Sequence, residues 1–240
     1  MTRIAVITDA HANLAALEAA LEAIRGEGCD AVYHTGDAIA IGPYPAECVD
    51  LLQGMPGVGL LPGNHELYFT DGLPIPRPSW MSEGEVEHQL WTHARLGPRR
   101  RAALADLPLS FAREIEGVRV VFRHYALQPC ARGFLPVLRD PTGPALDGAF
   151  GLPDADLVFC GHDHGRFDLR GRARYVNPGS LGCHSLAEAR YCVAAFRGGG
   201  CTVEFRSVPY DDRELAAAFE ARGVPERDFI RRAFFGGRLR

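Results

Sequence analysis

Short apolar, β-branched runs recur along the chain, and each stops abruptly at a cluster of Asp, Asn, His and Gly. "RIAVITDAH" closes on Asp9 and His11, "DAVYHTGD" on Asp37, and "GVGLLPGNHE" on Asn64, His65 and Glu66. Further on, "VRVVFRH" ends at His124, "ADLVFCGHDH" at His162 and His164, and "ARYVNPGS" at Asn177 and Ser180. Apolar runs of this length with polar punctuation predict strands buried on both faces. Between the first two runs, Leu14, Leu17, Leu21 and Ile24 follow helical spacing, with Asn13 as N-cap and Gly26 or Gly28 as the stop. "AECVDLLQGM" predicts a second crossover helix from about Ala46 to Gln53. Parallel strands joined by crossovers bring their carboxyl ends to one side, where open α/β sheets bind ligands. The polar clusters are therefore expected to converge in one crevice.

Two segments interrupt this pattern. A proline-rich loop, "TDGLPIPRPSW", leads into a segment that predicts two helices broken at Gly97 and Pro98, giving a helical insert over about 70–108 that serves as scaffold and as a wall of the site. The stretch from Tyr125 to Asp154 carries five prolines and joins two of the polar-ended strands, which marks it for substrate contact. After "NPGS", the runs "RYCVAAFR" and "CTVEFRSV" flank a "GGG" and predict a hairpin, followed by a helix near Asp212 to Ala221. The closing "FIRRAFFGGRLR" either docks a partner or tucks its phenylalanines into the domain. No internal repeat or linker divides the 240 residues, so one α/β domain over 1–240 is expected.

Composition narrows the chemistry. No apolar run approaches the roughly 18 residues that span a bilayer, and the first strand leaves no room for a cleavable leader, so a cytoplasmic protein with no membrane partner is expected. The seven cysteines form no CxxC pair and read as reduced and mostly buried. All 26 basic residues are arginine, which excludes Schiff-base lysine chemistry and P-loop lysines. A net charge of −4 argues against a general duplex-DNA binder.

The convergent set is Asp9, His11, Asp37, Asn64, His124, His162 and His164. Burying so many polar groups would cost several kcal/mol unless hydrogen bonds or cations satisfied them. Seven N/O donors exceed the four of a closed tetrahedral site, and with one carboxylate shared they suit two open sites that retain water. Imidazole, carboxylate and amide oxygen without thiolate suit two divalent transition-metal ions drawn from Mn, Fe, Zn, Co or Ni. Along "GHDH", strand alternation would send His162 and His164 to one side and Asp163 to the other.

In order and spacing, "DAH", "GD", "GNHE", the later His124, "GHDH" and "NPGS" resemble the calcineurin-like metallophosphoesterase superfamily. "GPYPAECVDLL" and "VPYD" are similar to segments of its small bacterial phosphodiesterase-like members. The resemblance implies a four-layer α-β-β-α sandwich of two mainly mixed β-sheets flanked by helices. It implies a binuclear hydrolase, with manganese among the candidate ions, that cleaves a small phosphodiester or phosphomonoester as phosphodiesterase or phosphatase. One metal would be held by Asp9, His11, Asp37 and His164 and the other by Asp37, Asn64, His124 and His162. A hydroxide between them would be the nucleophile, and His65 would bind the phosphate or protonate the leaving alkoxide. Glu66 and Asp163 fit orienting roles. The alternatives are a nuclease, a serine/threonine protein phosphatase, or a non-catalytic metal-binding scaffold. "GDAIAIGPYP" lacks the Asp-Arg-Gly of protein phosphatases and no basic groove is evident, so a nucleic-acid substrate is not favoured. Self-association into a homo-oligomer is compatible with the chain.

Two positions depart from the family pattern. Ala12 stands where Gly is common and would add strain if positive φ is needed; Tyr125 stands where Gly is common and would sit beside the substrate. Of the remaining histidines, His34, His88 and His93 read as structural or exposed, and His184 as a substrate contact.

Overall fold

A computed structural model describes residues 1–129 and 132–239. The first half runs β1 (Thr2–Ile7), α1 (Leu14–Gly26), β2 (Ala31–His34), α2 (Pro45–Gln53), β3 (Val58–Leu60), α3 (Asn64–Thr70) and α4 (Glu83–Ala105). Then follow β4 (Ser110–Ile115), β5 (Val118–Arg123), α5 (Gly143–Phe150), β6 (Leu157–Phe159), β7 (Arg166–Arg170) and β8 (Arg174–Pro178). The chain closes with β9 (Glu188–Arg197), β10 (Gly200–Pro209), α6 (Arg213–Ala221) and α7 (Arg227–Phe235).

The strands form two five-stranded mixed sheets, ordered β10-β9-β1-β2-β3 and β4-β5-β6-β8-β7. In each, three strands are parallel: β1, β2 and β3 in the first, and β5, β6 and β8 in the second. Hairpin partners complete them antiparallel. Strand alternation explains the burial. Ile4 and Val6 of β1 pack with Val118, Val120 and Phe122 of β5 and Leu157 and Phe159 of β6 between the sheets. The intervening Ala5 and Ile7 face Leu17, Leu21 and Ile24 of α1 and Val49 and Leu52 of α2. On the far side Val121 and Val158 pack against Leu146 and Phe150 of α5. These layers give the predicted four-layer sandwich.

Helix boundaries follow the local signals. Asn13 accepts from the Ala16 amide at 3.2 Å and caps α1, which ends at Gly26 as its spacing predicts. The long α4 is interrupted at Gly97, whose φ of 70° and ψ of 172° leave the helix before Pro98. "GNHE" differs from the expected loop at a strand end, because its Asn, His and Glu form the first turn of α3. Ala12 takes a φ of 50°, the strained value anticipated for an alanine there. Cys29, Cys48, Cys160, Cys183, Cys192 and Cys201 are all free, and Cys130 lies outside the described residues. No helix among the described residues is long and apolar enough to cross a membrane.

Phe122 locks the two sheets together. Its ring stacks on Tyr33 of the first sheet at 3.9 Å between centroids and lies 5.4 Å from Phe159 of its own sheet. Removing a fully buried ring at such a seam costs about 3–5 kcal/mol. Phe122→Ala is expected to lower the free energy of unfolding by that amount in urea denaturation, and a loss below 1 kcal/mol would show that the seam does not depend on this stack.

Candidate metal centre

The polar strand ends of both sheets meet at one seam. Asp9 follows β1, Asp37 follows β2, Asn64 opens α3 after β3, His124 follows β5, and His162 and His164 follow β6. Five of these side chains leave a left-handed backbone: φ is 52° at Asp9, 46° at His11, 57° at Asp37, 71° at His162 and 61° at His164. Each non-glycine residue held there costs on the order of 1 kcal/mol. The conformation also replaces the strand alternation expected along "GHDH", because His162 and His164 sit in a turn after β6. Both imidazoles still reach the seam.

Fixed backbone contacts hold these turns. The buried Glu66 carboxylate accepts from the amides of Asp37, Ala38 and Gly63 at 2.7 to 2.9 Å and of Ile39 at 3.2 Å. It clamps the loop after β2 to the start of α3. Asp9 accepts from the Thr8 hydroxyl at 2.8 Å and from the His162 amide at 3.1 Å. Asn177 donates to the Gly161 carbonyl, and Ser180 donates to the Asp9 carbonyl at 2.8 Å. At Gly63 a methyl group would overlap the Asp37 carboxylate, so only glycine lets the two loops meet.

The donor atoms point inward in two groups. His11 donates Nδ1–H to the Ile39 carbonyl at 3.2 Å, so its Nε2 presents a lone pair 2.8 Å from His164 Nε2, with Asp9 Oδ1 3.9 Å from both rings. His124 donates Nδ1–H to the Thr35 carbonyl at 3.0 Å. Its Nε2 therefore faces two acceptors, Asp37 Oδ2 and Asn64 Oδ1, each 3.3 Å away. Lone pairs converging on one point are satisfied by a cation between them, a proton or a metal ion. Asp37, His124 and His162 bring ligand atoms within 4.8 Å of one another, and so do His11, Asp37 and His65. The donor set therefore fits divalent metal.

The titrations of these side chains in the metal-free chain express the same crowding. Burial raises Asp9 to about 7. Burial also opposes ionisation of Asp37, but the imidazoles of His124, His65 and His11 outweigh it and hold Asp37 well below the usual carboxylate range. Burial works to lower His124, yet the carboxylates of Asp37, Asp9 and Glu66 raise it to about 9. His162 and His164 are pushed down to about 3 and about 4, chiefly by burial, and stay neutral as ligation requires.

His65 stands beside this cluster, its Nε2 4.0 Å from Asp37 Oδ2. Its Nδ1 meets the side-chain amide of Gln89, which is fully buried on α4, at 2.7 Å, and the same Gln89 nitrogen lies 2.9 Å from Glu85 Oε1. The neighbouring His88 accepts from the Ile41 amide at 2.8 Å. Helix α4 thus touches the site through two consecutive side chains.

Two expectations are corrected. Tyr125 is buried, its hydroxyl accepting from the Leu138 amide at 3.0 Å and its ring 5.2 Å from that of His162; it backs a candidate ligand and does not line the cavity. Phe134, from the same proline-rich stretch, likewise packs behind His124, 5.0 Å between ring centroids. His184 is taken by Arg190 and by the Leu186 amide and lies outside the cavity lining. Asp163 is half-buried, with its amide donating to the Gly161 carbonyl at 2.9 Å. Sequence reasoning missed Gln89 and Cys183. The Cys183 sulfur lies within 4.8 Å of the His11 and His164 nitrogens, but burial pushes its thiol well above the ordinary value and keeps it protonated. Only the helical spacing of Glu85 and Gln89 hinted at the first, and nothing local signalled the second.

Residues 2–198 match the calcineurin-like phosphoesterase superfamily domain, and the chain belongs to that superfamily, whose members are metal-dependent phosphoesterases. An uncharacterized protein of Methanocaldococcus jannaschii is 27% identical, with 93% of this chain and 94% of that one covered. A hypothetical protein of Pyrococcus horikoshii superposes with a TM-score of 0.81 at 20% identity over 99% of both chains. A metallophosphoesterase of Sphaerobacter thermophilus does so with 0.71 at 22% identity over 96% of this chain and 97% of that one.

The raised His124 generates a pH dependence. Its ordinary value is 6.5 and its folded value is about 9, so its stabilising contribution is complete below pH 6.5 and is lost as the pH rises through 9. Urea unfolding of the metal-free protein is expected to show stability falling between those limits, and the fall is expected to shrink in His124→Gln. An equal slope in the variant would assign the dependence to other groups.

Proposed function

We propose that the protein is a di-metal phosphoesterase in which Asp9, His11, Asp37 and His164 hold one divalent ion and Asp37, Asn64, His124 and His162 hold the other. The observation that carries this reading is the position of Asp37. Its Oδ2 lies 3.3 Å from His124 Nε2 and 4.0 Å from His11 Nε2, so one carboxylate faces both donor groups. Ions bound there supply Lewis acidity toward phosphoryl oxygens and lower the pKa of water.

The chain's own residues do the rest. Asp37 Oδ1 accepts from the His65 amide at 3.0 Å, which fixes the start of α3 against the centre. Gln89 sets the tautomer of His65. Glu85 accepts one hydrogen of the Gln89 amide, and the other points at His65 Nδ1, which therefore accepts and leaves the proton on Nε2. The reversed amide would set its carbonyl against the Glu85 carboxylate. His65 Nε2–H then faces the cavity, placed to bind a phosphoryl oxygen; its proton would pass to the leaving alkoxide from the doubly protonated ring, which is left neutral.

Protein loaded with Mn²⁺ is expected to hydrolyse a chromogenic phosphodiester or phosphomonoester. Asp37→Asn is expected to lower the rate by roughly 10³-fold or more and to reduce bound metal below two ions per chain by elemental analysis. Inactivity with Mn, Fe, Zn, Co and Ni on both ester classes would overturn the reading.

The His65 role has its own test. His65→Ala is expected to cost roughly 10²-fold in kcat on alkyl esters, and Gln89→Leu about tenfold. Both losses are expected to be smaller on p-nitrophenyl esters, whose leaving group needs no proton. Equal losses on the two series would remove proton donation from His65.

A further inference from the structure

The cavity in front of the metal donors, about 160 Å³, has a second wall that the phosphoryl chemistry leaves without a task. With Asn64, His162 and His164, the lining includes Phe229, Ile230 and Phe234 of α7 and the carboxylates of Glu85 and Glu226. The apolar part is continuous with the donors, since Phe234 lies 5.8 Å from the His164 ring and 6.5 Å from Phe229. Phe229 is 53% exposed, although Phe235 of the same helix is wholly buried. An aromatic ring left half in water at the mouth of a reactive cavity offers binding energy to an apolar ligand body. The match to the superfamily ends at residue 198, before α7.

Charge limits what enters. The chain has 26 arginines, yet among the described residues none lines this cavity. Of the three α7 arginines, Arg227 and Arg231 are paired with Glu220, and the exposed Arg232 is not among the residues that line the cavity. A leaving group carrying further phosphates needs guanidinium or ammonium partners beyond the metals; here it would meet two carboxylates.

We propose that α7 forms the leaving-group subsite, and that the substrate is an ester of a single phosphoryl group with an apolar alcohol free of negative charge. Nucleoside polyphosphates and nucleic acids are excluded by the same wall. This rests on the reading of the adjacent donors as the phosphoryl site.

Calorimetric titration of Mn²⁺-loaded protein with methylphosphonate, phenylphosphonate and 4-carboxyphenylphosphonate tests it without turnover. Phenylphosphonate is expected to bind about tenfold more tightly than methylphosphonate. The carboxylated analogue is expected to bind about threefold more weakly than phenylphosphonate. Phe229→Ala, at a half-exposed position that folding does not depend on, is expected to bring the phenyl-to-methyl ratio to about twofold. Phe234→Ala is expected to act in the same direction, and Glu226→Gln is expected to relieve the carboxylate penalty. Equal binding of methyl- and phenylphosphonate, a ratio unmoved by both Phe variants, or tighter binding of the carboxylated analogue would overturn the subsite while leaving the phosphoryl site standing. Failure of all three to bind would overturn the phosphoryl site and the subsite together.

Discussion

Two aspartates, buried side by side where the sheets meet, set the terms for the rest of the molecule. Two neighbouring carboxylates cut off from water cannot both ionise without a counter-charge. In the metal-free chain Asp9 titrates near 7, while Asp37 keeps its charge by leaning on His124, which in turn holds its proton to about 9. A proton on His124 thus occupies a place that a divalent ion fills better. The surrounding histidines have the complementary property, being buried too deeply to charge and therefore available as neutral ligands.

Holding such groups together costs backbone strain, which local sequence does not repay. The left-handed turns at Asp9, His11, Asp37, His162 and His164 together cost several kcal/mol. They persist because their flanks are fixed from outside: by Glu66 across four amides, by Asn177 and Ser180 behind the "GHDH" turn, and by strands whose alternate residues fill separate cores. The rigidity of the sheets is therefore part of the site.

The same division explains what was legible in the sequence. Strand ends were, because an apolar run that stops at Asp, His or Gly marks both the edge of the core and the start of the crevice. The N-cap at Asn13 and the break at Gly97 were, because each depends on residues within a turn of itself. The direction of a side chain after the strand was not. Alternation along "GHDH" assumes extended backbone, and φ values of 71° and 61° remove that premise. Tyr125 was misplaced for a related reason: a large residue beside a ligand can face the substrate or the core, and only the Leu138 amide, supplied by a distant loop, decides for the core. His184 sits close in sequence to Ser180 but is drawn off by Arg190 on β9.

Gln89 on α4 meets His65 without touching the donors of the cluster. A carboxylate at His65 Nδ1 would accept a hydrogen bond, keep the proton on Nδ1, and leave Nε2 an acceptor unless the ring were doubly protonated. The glutamine amide, its other hydrogen committed to Glu85, donates instead, so a neutral His65 carries its proton on the cavity side. A hydrogen bond from His65 Nε2–H to an anion in the cavity then needs no cationic imidazole, whereas a proton passed to an alkoxide comes from the doubly protonated ring.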